Sequence, residues 1–346
     1  MDLKKLGAAV VALILVNSGG AFADVILKGA GATFPYPLYK KWIEVHENET
    51  GVRVSYEAIG SGGGIQSLLK RDVDFGATDA YMTEGEMKTA RKEIIHIPAC
   101  VGAVSLVYNL PVNIVLRLTP DLVADIFLGK ITNWGDERLR EVNADVRLPS
   151  IDINVVHRSE SSGTTFIFTD YLSRVSPQWK RSIGKGKKVE WPTGMGVERN
   201  WGVADFVNKI PGSIGYVERT FANNMNLPLA VLRNRSGRFL APSLESVSAA
   251  AQVELPDDVK IMITDTPNAD GYPICAFTYL IFFKEQAYGQ RSEERARALA
   301  RFFWWAIHEG QRFNEPLLYG RLPTQAVEKA ELLIRSMTYR TKKLIP

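Results

Sequence analysis

Three times along this chain, a short apolar segment with the pattern of a β-strand leads into a loop of glycine and hydroxyl residues and then into a helix-like segment. The three loops occupy residues 28–34, 59–64 and 157–166. Helix starts leave backbone N–H groups unpaired, and small side chains beside them let an anion approach. Strands that repeatedly feed helices indicate an α/β protein with its ligand groups at the carboxyl ends of the strands.

The loop at residues 157–166 reads His-Arg-Ser-Glu-Ser-Ser-Gly-Thr-Thr-Phe and follows an apolar strand-like run. Arg158 adds five fixed donors, which suit an oxyanion, next to several hydroxyl groups. An ordinary helix capped by serine or threonine, with Arg158 paired to Glu160, explains the same residues. The decapeptide alone leaves both interpretations open.

The other two loops do not match nucleotide-binding or catalytic motifs. The first begins like a dinucleotide fingerprint but has Phe34 where the third small residue belongs. The second is followed by no Gly-Lys-Ser/Thr, and Ile59 replaces the first glycine of a nucleophile elbow. We expect Thr33 and Ser61 to be hydroxyl donors at helix starts, although a plain glycine turn is the alternative for Ser61.

The first 23 residues have the pattern of a cleaved signal peptide. Two lysines precede an apolar run at residues 6–16, and small residues follow up to position 23. We expect the mature chain to start at Asp24, with an N-terminal anchor as the alternative. The run is shorter than the roughly 20 residues of a membrane span, and no cysteine near the cleavage site offers a lipid anchor. These features predict a soluble periplasmic or secreted protein.

The charge balance is only mildly basic. The formal net charge of the full chain is +4, and removal of residues 1–23, with two lysines and one aspartate, leaves +3. This excludes the strongly basic face expected of a nucleic-acid-binding protein. The basic clusters at residues 185–188 and 233–238 stand among glycines, and we interpret them as solvated turns. The four scattered histidines and two distant cysteines predict no metal site, and we expect no cofactor.

Two long apolar runs, at residues 100–108 and 274–282, are suited to crossing between domains. The chain is long enough to bury two cores. Two crossings predict a discontinuous first lobe, residues 24–100 and 275–346, and a second lobe, residues 101–274.

The two cysteines, Cys100 and Cys275, stand at the starts of these runs. In an oxidising periplasm, cysteines on neighbouring crossings form a candidate disulfide that would brace the hinge. Two buried free thiols are the alternative.

Taken together, the motifs resemble the family of phosphate-specific substrate-binding proteins of bacterial ABC-type phosphate uptake, over most of the chain. The most specific parts are Gly-Ala-Gly-Ala-Thr-Phe-Pro at 29–35, Ile-Gly-Ser-Gly-Gly-Gly at 59–64, Val-Asp-Phe-Gly-Ala-Thr-Asp at 73–79 and Arg-Ser-Glu-Ser-Ser-Gly-Thr-Thr-Phe at 158–166, with weaker echoes at 127–134 and 211–218. The family often has Asp in place of Glu160, and residues 197–201 are charged and aromatic where relatives tend to be rich in glycine. We expect neither departure to touch the ligand.

The resemblance implies an α/β periplasmic binding protein of two lobes joined by a hinge, with one inorganic phosphate in the cleft between them. It also implies a monomer that delivers phosphate to the transmembrane permease subunits of an ABC transporter, after the lobes close on the ligand. The residues it assigns to phosphate are Thr33, Phe34 through its backbone N–H, Ser61 and Asp79 from one lobe, and Arg158, Ser162, Gly163 and Thr164 from the other. Glu160 would orient Arg158.

Asp79 is the unusual member of this set, since a carboxylate repels an anion unless the ligand carries a proton for it to accept. Phosphate near neutral pH retains at least one proton and sulfate retains none, so Asp79 would select phosphate against fully ionised oxyanions. A strand-end helix cap is the structural alternative for Asp79. A receptor for sulfate or another tetrahedral oxyanion is the alternative function within binding proteins.

A secreted phosphohydrolase is the competing class of function. It would need a metal cluster or an activated nucleophile beside the anion. Ser61 and Ser162 are the plausible nucleophiles, and the sequence places no evident base beside either. We therefore expect a binding protein and not an enzyme.

Overall fold

A computed structural model of the chain describes residues 25–345. The predicted signal peptide, residues 1–23, lies outside the described residues. The strands are β1 (Ile26–Gly31), β2 (Arg53–Ala58), β3 (Phe75–Thr78), β4 (Ile94–Tyr108), β5 (Arg117–Leu118), β6 (Asn154–Arg158), β7 (Met195–Val197), β8 (Ser213–Glu218), β9 (Val231–Arg233), β10 (Phe239–Leu240), β11 (Cys275–Phe283), β12 (Thr338–Tyr339) and β13 (Lys342–Lys343).

The helices alternate with these strands through most of the chain. They are α1 (Tyr36–Thr50), α2 (Ser61–Lys70), α3 (Glu84–Thr89), α4 (Pro120–Phe127), α5 (Glu137–Val142), α6 (Gly163–Val175), α7 (Pro177–Ser182), α8 (Arg199–Lys209), α9 (Arg219–Asn224), α10 (Leu244–Ala250), α11 (Glu293–Ile307) and α12 (Thr324–Arg335), with 3₁₀ turns at Glu309–Phe313 and Glu315–Leu317. Within residues 25–345, no helix combines the length and apolar character that crossing a bilayer requires.

An eight-stranded sheet with the order β2-β1-β3-β11-β4-β8-β6-β7 forms the centre of the protein. Parallel pairs lie at each end, β2-β1-β3 on one side and β8-β6-β7 on the other. The antiparallel strands β11 and β4 join them. The predicted α/β class is confirmed, and each end of the sheet contains the strand-to-helix connections seen in the sequence.

Strand β4 connects the two ends of the sheet. Its 15 residues are all buried; residues 94–103 pair with β11, and residues 104–108 pair with β8. The return path lies beside it, because the N–H of Val104 donates to the carbonyl oxygen of Ile274 at 2.8 Å. We refer below to the β2-β1-β3-β11 side as the first half and to the β8-β6-β7 side as the second half.

The two halves share one large apolar core. A single cluster of buried side chains includes Phe75 and Phe303 from the first half and Phe168 and Tyr216 from the second. A smaller, separate cluster lies against the other face of the second half, around Val156 and Val203. The chain therefore does not form two equal and independent cores, because the long buried strands β4 and β11 connect the apolar core of one half with that of the other.

The predicted disulfide between Cys100 and Cys275 is wrong. Both cysteines are buried free thiols. The antiparallel register places Cys275 opposite Ala103 and Cys100 opposite Thr278, which is an offset of three residues. At about 3.4 Å per residue, that offset is roughly 10 Å along the strands, whereas a disulfide needs Cα atoms within about 7 Å.

Candidate functional site

The first half contributes three buried polar side chains from the ends of neighbouring elements. Thr33 lies between β1 and α1, Ser61 is the first residue of α2, and Asp79 directly follows β3. Each is at most 1% exposed. Gly31 permits this packing, because its φ is +144° and a Cβ there would lie 2.1 Å from the carbonyl oxygen of Ala77.

The second half contributes the loop from β6 to α6. Arg158 ends β6, and Ser162 caps α6 by accepting a hydrogen bond of 3.2 Å from the N–H of Thr165. Gly163 and Thr164 form the first turn of the helix. Both interpretations of this stretch hold in part, since it is a capped helix start with Arg158 paired to Glu160 and its polar groups also face the first half.

The two sets of residues meet directly. Arg158 Nη2 donates to Thr33 Oγ1 at 3.3 Å, and Arg158 Nη1 donates to Thr164 Oγ1 at 3.2 Å. The approach at Gly163 is closer still, because a Cβ on this residue would lie 2.3 Å from Ser61 Oγ and 2.4 Å from Asp79 Oδ2. The structure thus brings the predicted side chains from both halves into one buried cluster.

Phe34 lies beside this cluster with its ring in the core. Its side chain is fully buried, and its carbonyl oxygen accepts a hydrogen bond of 2.7 Å from the Tyr319 hydroxyl. This bond fixes the peptide plane between Phe34 and Pro35, directly before the start of α1. The predicted role of the Phe34 backbone N–H remains a proposal.

Glu160 holds the Arg158 guanidinium in place. Its Oε1 accepts from Arg158 Nε at 3.0 Å and also from Arg158 Nη2. The same oxygen accepts from the backbone N–H of Arg199 at 3.0 Å, which ties the start of α8 to the pair. Because the carboxylate occupies the Nε side of the guanidinium, the Nη atoms are directed towards Thr33 and Thr164.

Asp79 is the most strongly perturbed carboxyl group of the cluster. Its Oδ1 accepts from Thr278 Oγ1 at 2.8 Å, and its Oδ2 accepts from Ser61 Oγ at 3.3 Å. Burial raises the pKa of Asp79 to about 7, even though the Thr278 hydroxyl, the Arg158 charge and the Ser61 hydroxyl all act to lower it. Near neutral pH, Asp79 therefore exchanges readily between the ionised acceptor and the protonated donor.

Asn200 is a member of the cluster that the sequence did not reveal. Its Nδ2 donates to Thr33 Oγ1 at 2.9 Å and to Thr164 Oγ1 at 3.3 Å, and its Oδ1 accepts from the N–H of Glu218 at 3.0 Å. Segment 197–201 thus contributes a residue beside the predicted ligand residues, and the expectation that this segment does not touch the ligand itself stays a prediction. In the sequence, the only signal for Asn200 is that its segment is charged and aromatic where relatives tend to be rich in glycine. That difference does not show where a side-chain amide will point.

Two further polar residues of the cluster come from strands β11 and β8, outside the three loops. Thr278 of β11 donates to Asp79 Oδ1, and the Tyr216 hydroxyl of β8 accepts from the N–H of Arg158 at 3.1 Å. The Tyr216 hydroxyl also shares a hydrogen bond of 2.7 Å with Thr165 Oγ1.

Among residues 25–345, no group of three or more His, Cys, Asp or Glu side chains is arranged to hold a metal ion.

Comparisons with known proteins identify the family to which this chain belongs. A family model described as a PBP superfamily domain matches residues 17–306. The phosphate-binding protein PstS of Pasteurella multocida (strain Pm70) is 41% identical over 310 residues, which cover 88% of this chain and 88% of the relative. The chain belongs to the PstS family of phosphate-binding proteins. The PstS protein of Haemophilus influenzae is 40% identical over 306 residues, covering 87% of this chain and 90% of the relative.

Solved structures show the same fold at lower sequence identity. A phosphate-binding protein from Stenotrophomonas maltophilia has a TM-score of 0.67 at 18% identity, covering 90% of this chain and 94% of that one. The high-affinity periplasmic phosphate-binding protein PfluDING, solved with bound phosphate, has a TM-score of 0.71 at 21% identity, covering 89% and 93%. The predicted two-lobed binding-protein fold and the family resemblance are confirmed.

Proposed function

We propose that this protein binds inorganic phosphate in the cleft between its two halves and delivers it to the permease of an ABC-type importer. The observation that carries the proposal is the convergence of Thr33, Ser61 and Asp79 from the first half with Arg158 and Thr164 from the second. Its relatives have the names of binding proteins and not of enzymes, so we assign it a role in transport without catalysis.

The phosphate oxygens would be held mainly by neutral donors and one arginine. A buried anion needs many hydrogen bonds to replace those it makes with water, and helix starts supply N–H groups without a full counter-charge. The residues we assign to phosphate are Thr33, the Phe34 N–H, Ser61, Asp79, Arg158, Ser162, Gly163 and Thr164. Glu160 orients Arg158, and we add Asn200 and Thr278 as positioning residues because each donates to a member of this set.

Asp79 would decide which anion binds. Above its pKa of about 7, Asp79 is ionised and accepts a hydrogen bond from a proton that phosphate carries, whereas it repels a sulfate oxygen, which carries no proton. Its position between the hydroxyls of Ser61 and Thr278 uses one donor for each carboxylate oxygen and leaves further lone pairs for a ligand proton. Binding of phosphate would thus favour the ionised form and release protons below about pH 7, the pKa of Asp79.

Binding would be coupled to closure of the lobes. We assign residues 24–100 and 275–346 to one lobe and residues 101–274 to the other, with the hinge at the paired crossings where Val104 meets Ile274. Because the donors are divided between the lobes, the anion is fully coordinated only in the closed form, and this differential contact shifts the population towards closure. The permease would then recognise the closed shape.

Calorimetric titration with phosphate, arsenate and sulfate tests the proposal, with Asp79→Asn as the variant. Asp205→Asn is the matched control, since that side chain is 48% exposed on α8. We expect the parent protein to bind phosphate and arsenate and to reject sulfate. Asp79→Asn should reduce the preference for phosphate over sulfate by roughly 10- to 100-fold, which corresponds to one unsatisfied buried group. Unchanged discrimination would contradict the role of Asp79, and no phosphate binding at all would contradict the function.

We further propose that the protein is exported to the periplasm, that residues 1–23 are removed, and that it works as a monomer without a cofactor. Intact-mass measurement of exported protein should give a chain that starts at Asp24. Light scattering coupled to size-exclusion chromatography should give the mass of one chain. An uncleaved N-terminus or a dimer mass would contradict the respective proposal.

A further inference from the structure

A second cavity, outside the cleft, is surrounded almost entirely by charged and polar side chains. Its volume is about 980 Å³, and it lies between α6, α7, the turn after β9 and the loop that precedes β11. Of its ten lining residues, only Pro177 and Gly184 have no polar side chain. Pockets for neutral small molecules are mostly apolar, so this lining indicates a highly charged, hydrated ligand.

Five cations line this cavity, and they come from α6, from α7, from the turn after α7 and from the turn after β9. They are Arg174, Lys180, Arg181, Lys185 and Arg235. Lys185 and Arg235 belong to the two basic turns, residues 185–188 and 233–238, which the sequence alone led us to interpret as separate solvated turns. The fold places one cation from each turn in the same wall.

Asp170 fixes two of these cations. Its side chain is only 2% exposed and accepts from Arg174 Nε at 2.8 Å, from Lys185 Nζ at 2.6 Å and from Thr264 Oγ1. Although burial acts to raise it, the pKa of Asp170 is lowered by its bonds to Lys185, Thr264 and Arg174. One buried carboxylate is therefore shared by two partly exposed cations, whose remaining N–H groups stay available at the cavity wall.

The other cations are less neutralised. Among the residues that the structure describes, Lys180, Arg181 and Arg235 form no salt bridge with a carboxylate. The second carboxylate of the lining, Asp265, is half-buried; burial raises its pKa, and the charges of Arg235 and Arg174 act against that rise. Five cations against two carboxylates leave an excess of three positive charges around the cavity.

We propose that this cavity is a second anion site that binds a short inorganic oligophosphate chain such as tripolyphosphate. Exposed ion pairs are individually weak, so a single phosphate gains little here, whereas a chain with several charges engages several cations at once. Each guanidinium group can donate two parallel hydrogen bonds to two oxygens of one phosphate group. The cavity is large enough for several linked phosphates. In contrast with the cleft, the site would be open, salt-sensitive and of lower affinity.

Titration of tripolyphosphate into protein kept in excess phosphate tests this proposal, because phosphate occupies the cleft. The double variant Arg181→Ser/Arg235→Ser removes two exposed lining cations. Lys188→Ser/Arg238→Ser is the matched control, since it removes the same charge from neighbouring positions that do not line the cavity. Phosphate affinity and thermal unfolding of both variants, measured separately, show whether the cleft and the fold are intact.

We expect the parent protein to bind tripolyphosphate in excess phosphate. The affinity for tripolyphosphate should be about 10-fold lower in the cavity variant and almost unchanged in the control variant. No binding in excess phosphate, or equal losses in both variants, would overturn the proposal. If phosphate alone failed to bind the parent protein while tripolyphosphate still distinguished the variants, the proposed cleft function would fail and this site would stand.

A lipid headgroup is another source of phosphate groups, and vesicles that contain anionic phospholipids test whether the cavity binds one. We expect no sedimentation of the protein with such vesicles, because none of the lining residues has a large apolar side chain that would enter a bilayer. Sedimentation that the cavity variant abolishes, without binding of tripolyphosphate, would assign the cavity to a lipid headgroup and overturn the oligophosphate proposal.

Discussion

Asn200 donates a hydrogen bond of 2.9 Å to Thr33, although 167 residues separate them and they belong to opposite halves of the protein. The same amide nitrogen donates to Thr164, and its oxygen accepts from the N–H of Glu218. One fully buried side chain thus joins the start of α1, the start of α6 and the end of β8. The closed arrangement of the cluster is held by directed polar contacts as well as by the shared apolar core.

Replacement of Asn200 by Ala should weaken phosphate binding by roughly 5- to 100-fold, because two buried hydroxyls lose a donor and one buried N–H loses its acceptor. Calorimetric titration gives the affinity, and thermal unfolding gives the change in stability. Asn208→Ala on the exposed side of the same helix is the control. Equal affinities of the two variants would show that Asn200 contributes nothing to the site.

Replacement of Gly163 by Ala should prevent the halves from meeting at the cleft. The new Cβ would lie 2.3 Å from Ser61 Oγ and 2.4 Å from Asp79 Oδ2, well inside van der Waals contact, while the helical backbone at this position tolerates alanine. We expect a large loss of phosphate affinity and a larger radius of gyration in small-angle scattering with phosphate.

Gly202→Ala on α8 is the control for this variant, since its Cβ would meet nothing closer than 4.0 Å. It should bind and compact like the parent protein. A compact Gly163→Ala protein that binds phosphate with parental affinity would contradict the proposed closure.

Glu218 should make the protein less stable as the pH rises. The carboxyl group is fully buried; its Oε2 accepts from the Thr220 N–H at 2.9 Å and from the Tyr319 hydroxyl at 3.0 Å. Burial raises the pKa of Glu218 to about 8, although the bonds from Thr220 and Tyr319 act to lower it. In the unfolded chain it ionises near pH 4.5. Its stabilising contribution is therefore complete below about pH 4.5 and is lost as the pH rises through about 8.

Glu218→Gln should flatten this dependence, because glutamine stays neutral and keeps a carbonyl acceptor. Between pH 5 and 8, the slope in the free energy of unfolding should fall by up to about 1.4 kcal/mol per pH unit. Denaturant unfolding at several pH values measures it, with the exposed Glu315→Gln as control. Asp79 contributes in the same direction up to its own pKa of about 7, so some slope should remain. A variant as steep as the parent would refute the assignment.

Thiol titration should find both cysteines reduced. Burial raises the pKa of Cys100 and of Cys275, so neither thiol should react with a thiolate-selective reagent in the native protein. Unfolding without a reductant should release two reactive thiols. Release of none would mean that the cysteines are paired after all.

Local sequence patterns were sufficient to predict the elements that supply most of the cluster. Strand-to-helix loops rich in glycine and hydroxyl residues predict helix starts, and α2 and α6 begin at Ser61 and Gly163 within two of those loops. The apolar runs predict the long central strands, although β4 begins at Ile94, six residues before the predicted run. A strand can be extended by pairing with β11, and that pairing is not visible in the strand's own sequence.

By itself, the sequence determined the α/β class, the family and the polar residues of the three loops, because these depend on local periodicity and on contiguous motifs. The tertiary structure decided the rest. The strand register separated Cys100 from Cys275, the packing of α8 brought Asn200 between Thr33 and Thr164, and burial brought the pKa of Asp79 to about 7. Each of these outcomes depends on which residues, distant in the sequence, lie close together in the folded protein, and no local sequence pattern encodes that proximity.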